Sequence, residues 1–543
     1  MKKNFEIKAI YWFVIVLFAC FLVLPLGSLL IQSFQSQGNF SFANYIQVIG
    51  EKGFLTALQN SFLVSGLSAL ITTLLAFMMA YAIHYTNIPL LLKKFMKNMT
   101  MLPMLLPTIT YGFAIIYSFG KQGLWTKIFG HQFFDIYGMN GLLLGYVIYT
   151  LPIAFMLIHN AMEYIDKKFI IVSKLMNDNS FKTFIMTLLK PMLGTLAAAF
   201  IQAFFLSFTD FGIPASVGGQ FEVVASVLYN QMLGSIPNFA NGAVVAMIML
   251  LPSVLSIALL HYLEKYNIRY NKISTIEFKK NTFRDVFWSL IGLMINVFVL
   301  AIFTVIFIIP FIQMWPYDMS LTLTHIEAVL KEPTLIGVIE NSLIVAILTA
   351  VTGTLVVYGA ALAVARSAIH SRLKKIIETI ALVTNTVPGM VIGIAYLLIF
   401  SGSPPLQNTF IIIIVCNIVH FFSSPYFMMK NSLMKMNAGY ETTARLMGDS
   451  WLKTILRVVT PNALSSLLEV FSYYFINAMV TVSAVIFIAG ARTMVMTTKI
   501  KELQHFAKFN EIFVLSIFIF IINFIAKGLF YYFTHRKKRE KTK

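Results

Sequence analysis

Apolar runs of about twenty residues recur from one end of this chain to the other, each long enough to cross a bilayer as a helix. Windows of about nineteen residues place twelve of them: near 9–31, 60–84, 99–119, 141–162, 191–213, 241–263, 286–311, 341–364, 379–400, 409–429, 462–489 and 511–533. Composition agrees, with 58% of the 543 residues hydrophobic and 12% charged, about half the charged share of a soluble globular protein. The expected fold class is an all-α polytopic membrane protein with about twelve transmembrane helices. The run at 9–31 follows Lys2, Lys3 and Lys8 and has no small-x-small cleavage site after it. It reads as an uncleaved first span.

A net charge of +19 would suit nucleic acid if the charges clustered on one surface, but they do not. Segments 1–8, 85–98, 163–190, 264–285, 365–378, 430–461 and 534–543, which alternate along the chain, hold 32 of the 41 Lys and Arg. That bias sets orientation in a bilayer and predicts both termini on the cytoplasmic side. Nucleic acid is therefore not an expected partner. Cys20 and Cys416 both lie inside apolar runs, which makes them small core residues rather than a disulfide or a thiolate cluster. No metal site is expected.

The chain also repeats itself. Asn60-Ser61 and the apolar run after it match Asn341-Ser342 and its run, an offset of 281 that also maps Pro107 onto Pro388, Gly112 onto Gly393 and Phe119 onto Phe400. Further on the offset falls to 270, mapping Pro191 onto Pro461, Phe205 onto Phe475 and Ser207 onto Asn477. An even number of spans per copy keeps both copies in one orientation, so the pseudo-two-fold axis runs along the membrane normal. The reading is two six-helix repeats, 1–263 and 286–543, joined by a basic cytoplasmic linker at 264–285.

Between the fourth and fifth spans of each copy lies a segment too ordered for a plain loop. In the second copy it is GYETTARLMGDSWLKTILRVVTP, Gly439 to Pro461. Ala444 and Gly448 at helical spacing place two small residues on one face, where another protein surface can approach. Gly448-Asp449-Ser450 then breaks the helix, with Asp449 or Ser450 suited to cap the next one. Here the chain resembles the permease subunits of type I binding-protein-dependent ABC importers, whose signature runs Glu-Ala-Ala-x-x-x-Gly, then a spacer, then Ile-x-Leu-Pro. Thr442-Thr443-Ala444, Gly448, Val458 and Thr460-Pro461 match it, with Glu441 one place early. In the first copy, counting back from Lys190-Pro191 puts Asp178 at the glycine position, after Leu175-Met176-Asn177, and Leu188 at the Ile position. Lacking its glycine, that copy is expected to dock less closely.

The resemblance implies ATPase-coupling roles for Asn177, Asp178, Pro191, Glu441, Thr443, Ala444, Arg445, Gly448, Asp449, Ser450 and Pro461. It implies two copies of an ABC ATP-binding subunit at the cytoplasmic face, an extracytoplasmic solute-binding protein, and a setting among the lipids of the bacterial plasma membrane. ATP and Mg would sit on the partner subunits. This chain has no G-x-x-x-x-G-K-[ST] phosphate loop, so it is expected to bind no cofactor and to have no ATPase site of its own.

The fused two-copy form resembles permeases for ferric iron, thiamine and 2-aminoethylphosphonate. The stretches 207–252, 387–400 and 476–490 look most like the last, so 2-aminoethylphosphonate is the expected solute, with ferric iron or thiamine as alternatives. Ionisable and polar residues inside spans are costly and are default pathway candidates: Gln202, Ser207 and Asp210 in the fifth span, His420 in the tenth, and Glu469, Tyr473 and Asn477 along one stripe of the eleventh. Each can also simply bond to a neighbouring helix. A twelve-helix secondary transporter shares the span count, but the segment after the second span, TNIPLLLKKFMKNM, lacks the Gly and Asp such proteins carry there. No H-E-x-x-H or G-x-S-x-G supports a membrane enzyme.

Overall fold

The computed structural model describes residues 5–36, 38–263, 280–402 and 406–542. Most of the linker expected at 264–285 therefore lies outside the described residues. In chain order the principal helices are α1 (Phe5–Phe34), α2 (Lys52–Tyr85), α3 (Leu90–Thr100), α4 (Thr108–Phe119), α5 (Met139–Glu163), α6 (Lys168–Leu175), α7 (Ser180–Thr209) and α8 (Phe239–Leu263). They continue with α9 (Thr282–Ile308), α10 (Pro333–Ala365), α11 (Ser371–Thr386), α12 (Gly389–Phe400), α13 (Phe410–His420), α14 (Ser423–Met434), α15 (Gly439–Leu446), α16 (Trp451–Val480) and α17 (Phe509–Thr542). Among the described residues the strands form two small antiparallel hairpins, Gln35–Ser36 with Asn39–Phe40 and Ile312–Met314 with Asp318–Leu321. Each follows the first span of a repeat.

Among the described residues nine helices are long and apolar enough to cross a membrane, and two bent helix pairs, α11–α12 at 102° and α13–α14 at 59°, are so only when each pair is taken together. The span expected at 99–119 is not continuous. There the chain forms α3, a 3-10 turn at Leu102–Leu105 and the short α4. Twelve helical residues reach only about 18 Å. Pro103 and Pro107 explain the break, because proline cannot donate an N–H and disfavours a helical residue before it. Pro388 sits at the matching break in the second repeat.

Proline also shapes three of the continuous spans. A five-residue π-turn at Ala19–Val23, Ile185–Leu189 and Ile455–Val459 ends two residues before Pro25, Pro191 and Pro461 respectively. The amide of the intervening residue donates five residues back, as from Lys190 to the Ile185 carbonyl and from Thr460 to Ile455. Widening the turn moves the carbonyl that the pyrrolidine ring would otherwise strike, so each helix continues through its proline.

The packing groups into two compact units, one of Met1–Val48, Asn230–Leu250 and Leu323–Lys543, the other of Ile49–Tyr229 and Leu251–Thr322. In the second of these, α2 lies against α5 and α7 through a stripe of small residues, Ala57, Ser61, Ser65, Ser68, Thr72, Ala76 and Ala80, all buried. Small side chains let helix backbones approach closely where apolar burial alone gives no preference over lipid. Thr72 bonds Thr150 at 2.9 Å and Ser68 donates to Ser207 at 3.1 Å. This unit also contains α9, the first helix of the other repeat: Thr100 donates to Asn296 at 3.2 Å, Ser118 to the Ile302 carbonyl at 3.2 Å, and Tyr81 packs on Trp288. The other unit shows the converse. Its α1 docks on second-repeat helices through Tyr11 to the Leu373 carbonyl at 3.2 Å, Tyr396 to the Phe21 carbonyl at 2.6 Å, and Phe18 against Phe422.

Candidate functional site

The segment singled out in the second repeat is α15, a turn, and the start of α16. Leu446 ends α15, and Gly448 follows at φ +82°. A left-handed residue there closes a Schellman-type end: the Asp449 amide donates to the Ala444 carbonyl at 2.9 Å and that of Met447 to Thr443 at 3.1 Å. Ala444 and Gly448 therefore do not share a helix face as their spacing suggested, because the helix stops between them. Ser450 rather than Asp449 caps the next helix, its Oγ accepting from the Lys453 amide at 3.2 Å, while Asp449 pairs with Lys453. The Arg445 side chain lies outside those described. Thr443 is exposed, Ala444 is buried and Pro461 is exposed. At the tip, Leu446 and Met447 stand 85% and 77% exposed.

The first repeat builds the same object. Here α6 ends at Leu175, and Asn177 takes the left-handed conformation at φ 59°. The Asp178 amide reaches Ser173 at 3.1 Å and the Asn177 amide reaches Lys174 at 3.0 Å, while Asn179 caps α7 by accepting from the Lys182 amide at 2.7 Å. Asn177, not Asp178, thus holds the glycine position. Asp178 instead matches Asp449 and pairs with Lys182 at 2.6 Å. That bond and one from Ser173 hold its carboxyl below the usual carboxylate range. Counting back from Pro191 missed this because the first repeat has one residue more between turn and proline. Asparagine tolerates the left-handed region better than other non-glycine residues, so the glycine's absence leaves the turn intact. Leu175 and Met176 are 82% and 71% exposed.

Both loops therefore carry an exposed Leu-Met pair, within SKLMND at 173–178 and ARLMGD at 444–449. Sequence reading used Leu175 and Met176 only to place the motif and passed over Leu446 and Met447, although the shared Leu-Met and Asp at an offset of 271 was the available signal. It also passed over Arg366. That residue caps α10, with its guanidinium on Glu441 at 2.6 and 2.7 Å and its carbonyl accepting from Trp451 at 3.4 Å. Glu441 is accordingly held by Arg366 and is not at the tip.

The intramembrane candidates fall into two groups. Ser207 is fully buried and satisfied by Ser68, and Asp210 accepts the Ile213 amide at 2.8 Å, capping the short helix Gly212–Val217. Gln202 is half-buried. In α16, Ala463, Val470 and Tyr474 form the packed face. Glu469 is exposed on the far side, near Asn462, Ser465 and Ser472. Tyr473 is half-buried, and Asn477 donates to its carbonyl at 2.8 Å. His420 ends α13 at the bend. A Cβ at Gly389 would lie 3.1 Å from His420 Nε2 and 2.6 Å from Ser483 Oγ, so this glycine lets the N-terminus of α12 approach both. Among the described residues no group of three His, Cys, Asp or Glu converges as a metal site would require.

The family model for the binding-protein-dependent transport system inner membrane component matches the chain twice, over residues 72–267 and 355–539, each match enclosing one of the two loops. The chain belongs to this family. It is a permease subunit in the fused two-repeat form. The permease is 27% identical over 509 residues to the ferric transport system permease protein FbpB of Actinobacillus pleuropneumoniae, covering 90% of this chain and 72% of that one. It is 26% identical over 502 residues to the putative ferric transport system permease protein FbpB 1 of Haemophilus influenzae, covering 89% and 78%. A spermidine/putrescine transport system permease protein PotC homolog from Mycoplasma genitalium is 25% identical over 282 residues, covering 49% of this permease and 94% of its own length.

Proposed function

We propose that this permease forms the translocation path of an ATP-driven importer and that its two Leu-Met tips each dock one copy of a separate ABC ATP-binding subunit. The observation that carries the reading is the repetition of one loop: the same turn, the same Asp–Lys pair and the same exposed tip occur once per repeat. An exposed Leu-Met pair beside charged residues suits a cleft in another protein, where its apolar surface would be buried. The loops fall in the Lys/Arg-rich segments, which supports a cytoplasmic position for both tips and both termini. Without a phosphate loop in this chain, ATP and Mg belong to the partners. An external binding protein delivers the solute, and the polar far face of α16, with Glu469, Tyr473 and Asn477, lines its route, since a carboxylate facing lipid would be costly.

Ferric iron is the solute we assign first, supported by two relatives named for ferric transport that each cover about nine-tenths of the chain. The likeness of 207–252 and 476–490 to aminoethylphosphonate permeases favours 2-aminoethylphosphonate as the second reading. Co-expression with the cognate ATPase should yield one permease chain with two ATPase subunits, and the permease alone should hydrolyse no ATP. In proteoliposomes supplied with the binding protein, radiolabelled ferric iron should accumulate with ATP while labelled 2-aminoethylphosphonate should not. The reverse pattern would exchange the two solutes. ATP hydrolysis by the isolated chain at a normal turnover would defeat the assignment altogether.

A further inference from the structure

Helix α10 ends at Ala365, and Arg366 is its C-cap, a position where a cation is favoured by the helix dipole. Its guanidinium does more than sit there. Nε and Nη2 donate to the two oxygens of Glu441 at 2.6 and 2.7 Å, Nη1 donates to the Met436 carbonyl at 3.1 Å and Nη2 to the Asn437 carbonyl at 2.9 Å. The arginine side chain is 5% exposed and the carboxylate 16%. Its own carbonyl receives Trp451 Nε1 from the first residue of α16. One residue therefore ties the end of α10 to the lead-in, the first turn and the exit of the docking loop. A planar five-donor fork does this where a lysine could not.

The other end of α10 is fixed as well. Asn341 donates to the carbonyls of Arg492 and Met494 at 3.1 and 3.0 Å, and Ser342 Oγ receives the Met496 amide at 2.7 Å. This is the Asn-Ser pair that recurs in both repeats. At 33 residues, α10 is a rod about 50 Å long, clamped to the docking loop at one end and to segment 492–496 at the other. The first repeat keeps the far clamp, with Asn60 on the Glu222 carbonyl at 3.0 Å and Ser61 on the Val224 amide at 2.8 Å. Its near end is tied differently. Tyr85 stands where Arg366 would be and Ile170 where Glu441 would be. Lys167 lies 5.2 Å from the Tyr85 ring centroid and donates to the His84 carbonyl at 2.9 Å.

We propose that Arg366, through Glu441, is the positioning residue that converts movement of the second docking loop into movement of α10, and that the two repeats are coupled unequally for this reason. The inference rests on the loop being the ATPase contact. With its side chain 5% exposed, Arg366 acts through the loop it holds, so its loss should separate hydrolysis from transport rather than abolish both. The test is solute imported per ATP hydrolysed by the reconstituted complex, for wild type, Arg366→Gln, Glu441→Gln, the double variant and Lys167→Gln. With the complex assembled, either single variant of the ion pair should lower the ratio roughly tenfold, the double variant no further, as expected for two residues acting as one unit. Lys167→Gln should change it by less than about twofold, because a half-buried lysine bonded to one carbonyl and lying over the Tyr85 ring lacks the two-point hold of the arginine–carboxylate fork. An unchanged ratio in Glu441→Gln, which leaves the carbonyl bonds of Arg366 in place, would overturn the proposal. So would an equal fall in Lys167→Gln, or loss of assembly in both ion-pair variants, which would make the pair a folding element. Failure of the wild-type chain to bind the ATPase at all would instead strike the docking assignment.

Discussion

A single left-handed residue sets where each of the two matching loops stops being helical, Asn177 in one repeat and Gly448 in the other. For a side chain with a Cβ the left-handed conformation costs about 1–2 kcal/mol, least for asparagine. Asn177→Gly should therefore be near neutral, within about 0.5 kcal/mol, while Asn177→Val should lose about 1–2 kcal/mol and weaken ATPase capture. Asp178→Gly should behave differently, because it deletes the bonds to Lys182 and Ser173 while relieving no strain. Thermal unfolding of the purified permease together with ATPase pull-down separates these outcomes. A harmless Asn177→Val beside a damaging Asn177→Gly would return the turn to the register counted from Pro191. The register was hidden from sequence because one extra helical residue between turn and proline changes a spacing but leaves no mark in composition.

At the scale of elements, proline was visible in the sequence and its consequence was not. Pro25, Pro191 and Pro461 sit within spans that stay continuous by opening a π-turn, whereas Pro103 and Pro107 break the third span outright. The difference lies in what the freed backbone can reach, and that is a property of the neighbours rather than of the residue. Replacing Pro461 by Ala removes the ring that holds the turn open. The span should then close to regular α-helix, turning the docking loop by about 100° relative to the rest of α16. We expect Pro461→Ala to keep or raise the unfolding temperature while lowering ATPase affinity by roughly tenfold, a loss the size of one misplaced interface contact. Unchanged affinity, measured by titrating labelled ATPase into the detergent-solubilised variant, would show that the π-turn does not orient the loop.

At the scale of the molecule, each compact unit contains the first helix of the other repeat, α1 in one and α9 in the other. A chain of residues 1–263 alone would leave bare the surfaces of α2, α3 and α4 that α9 covers, among them Thr100 and Ser118. Expressed alone, 1–263 and 264–543 should each aggregate on extraction, and co-expression should restore a monodisperse pair; a well-behaved single half would show that the exchanged helices are dispensable. The membrane fold, most of the spans and the duplication were legible in the chain alone. Those follow from hydrophobic length, from Lys and Arg placement and from local turn chemistry, which act within a few residues of their cause. Packing settled that Asn177 does the work of a glycine and that Glu441 is held by Arg366, 75 residues away. It also decided that Asp210 caps a helix and that the first helices change places. Each of these depends on which surfaces meet, and a partner distant in sequence leaves no periodic trace in the chain that will receive it.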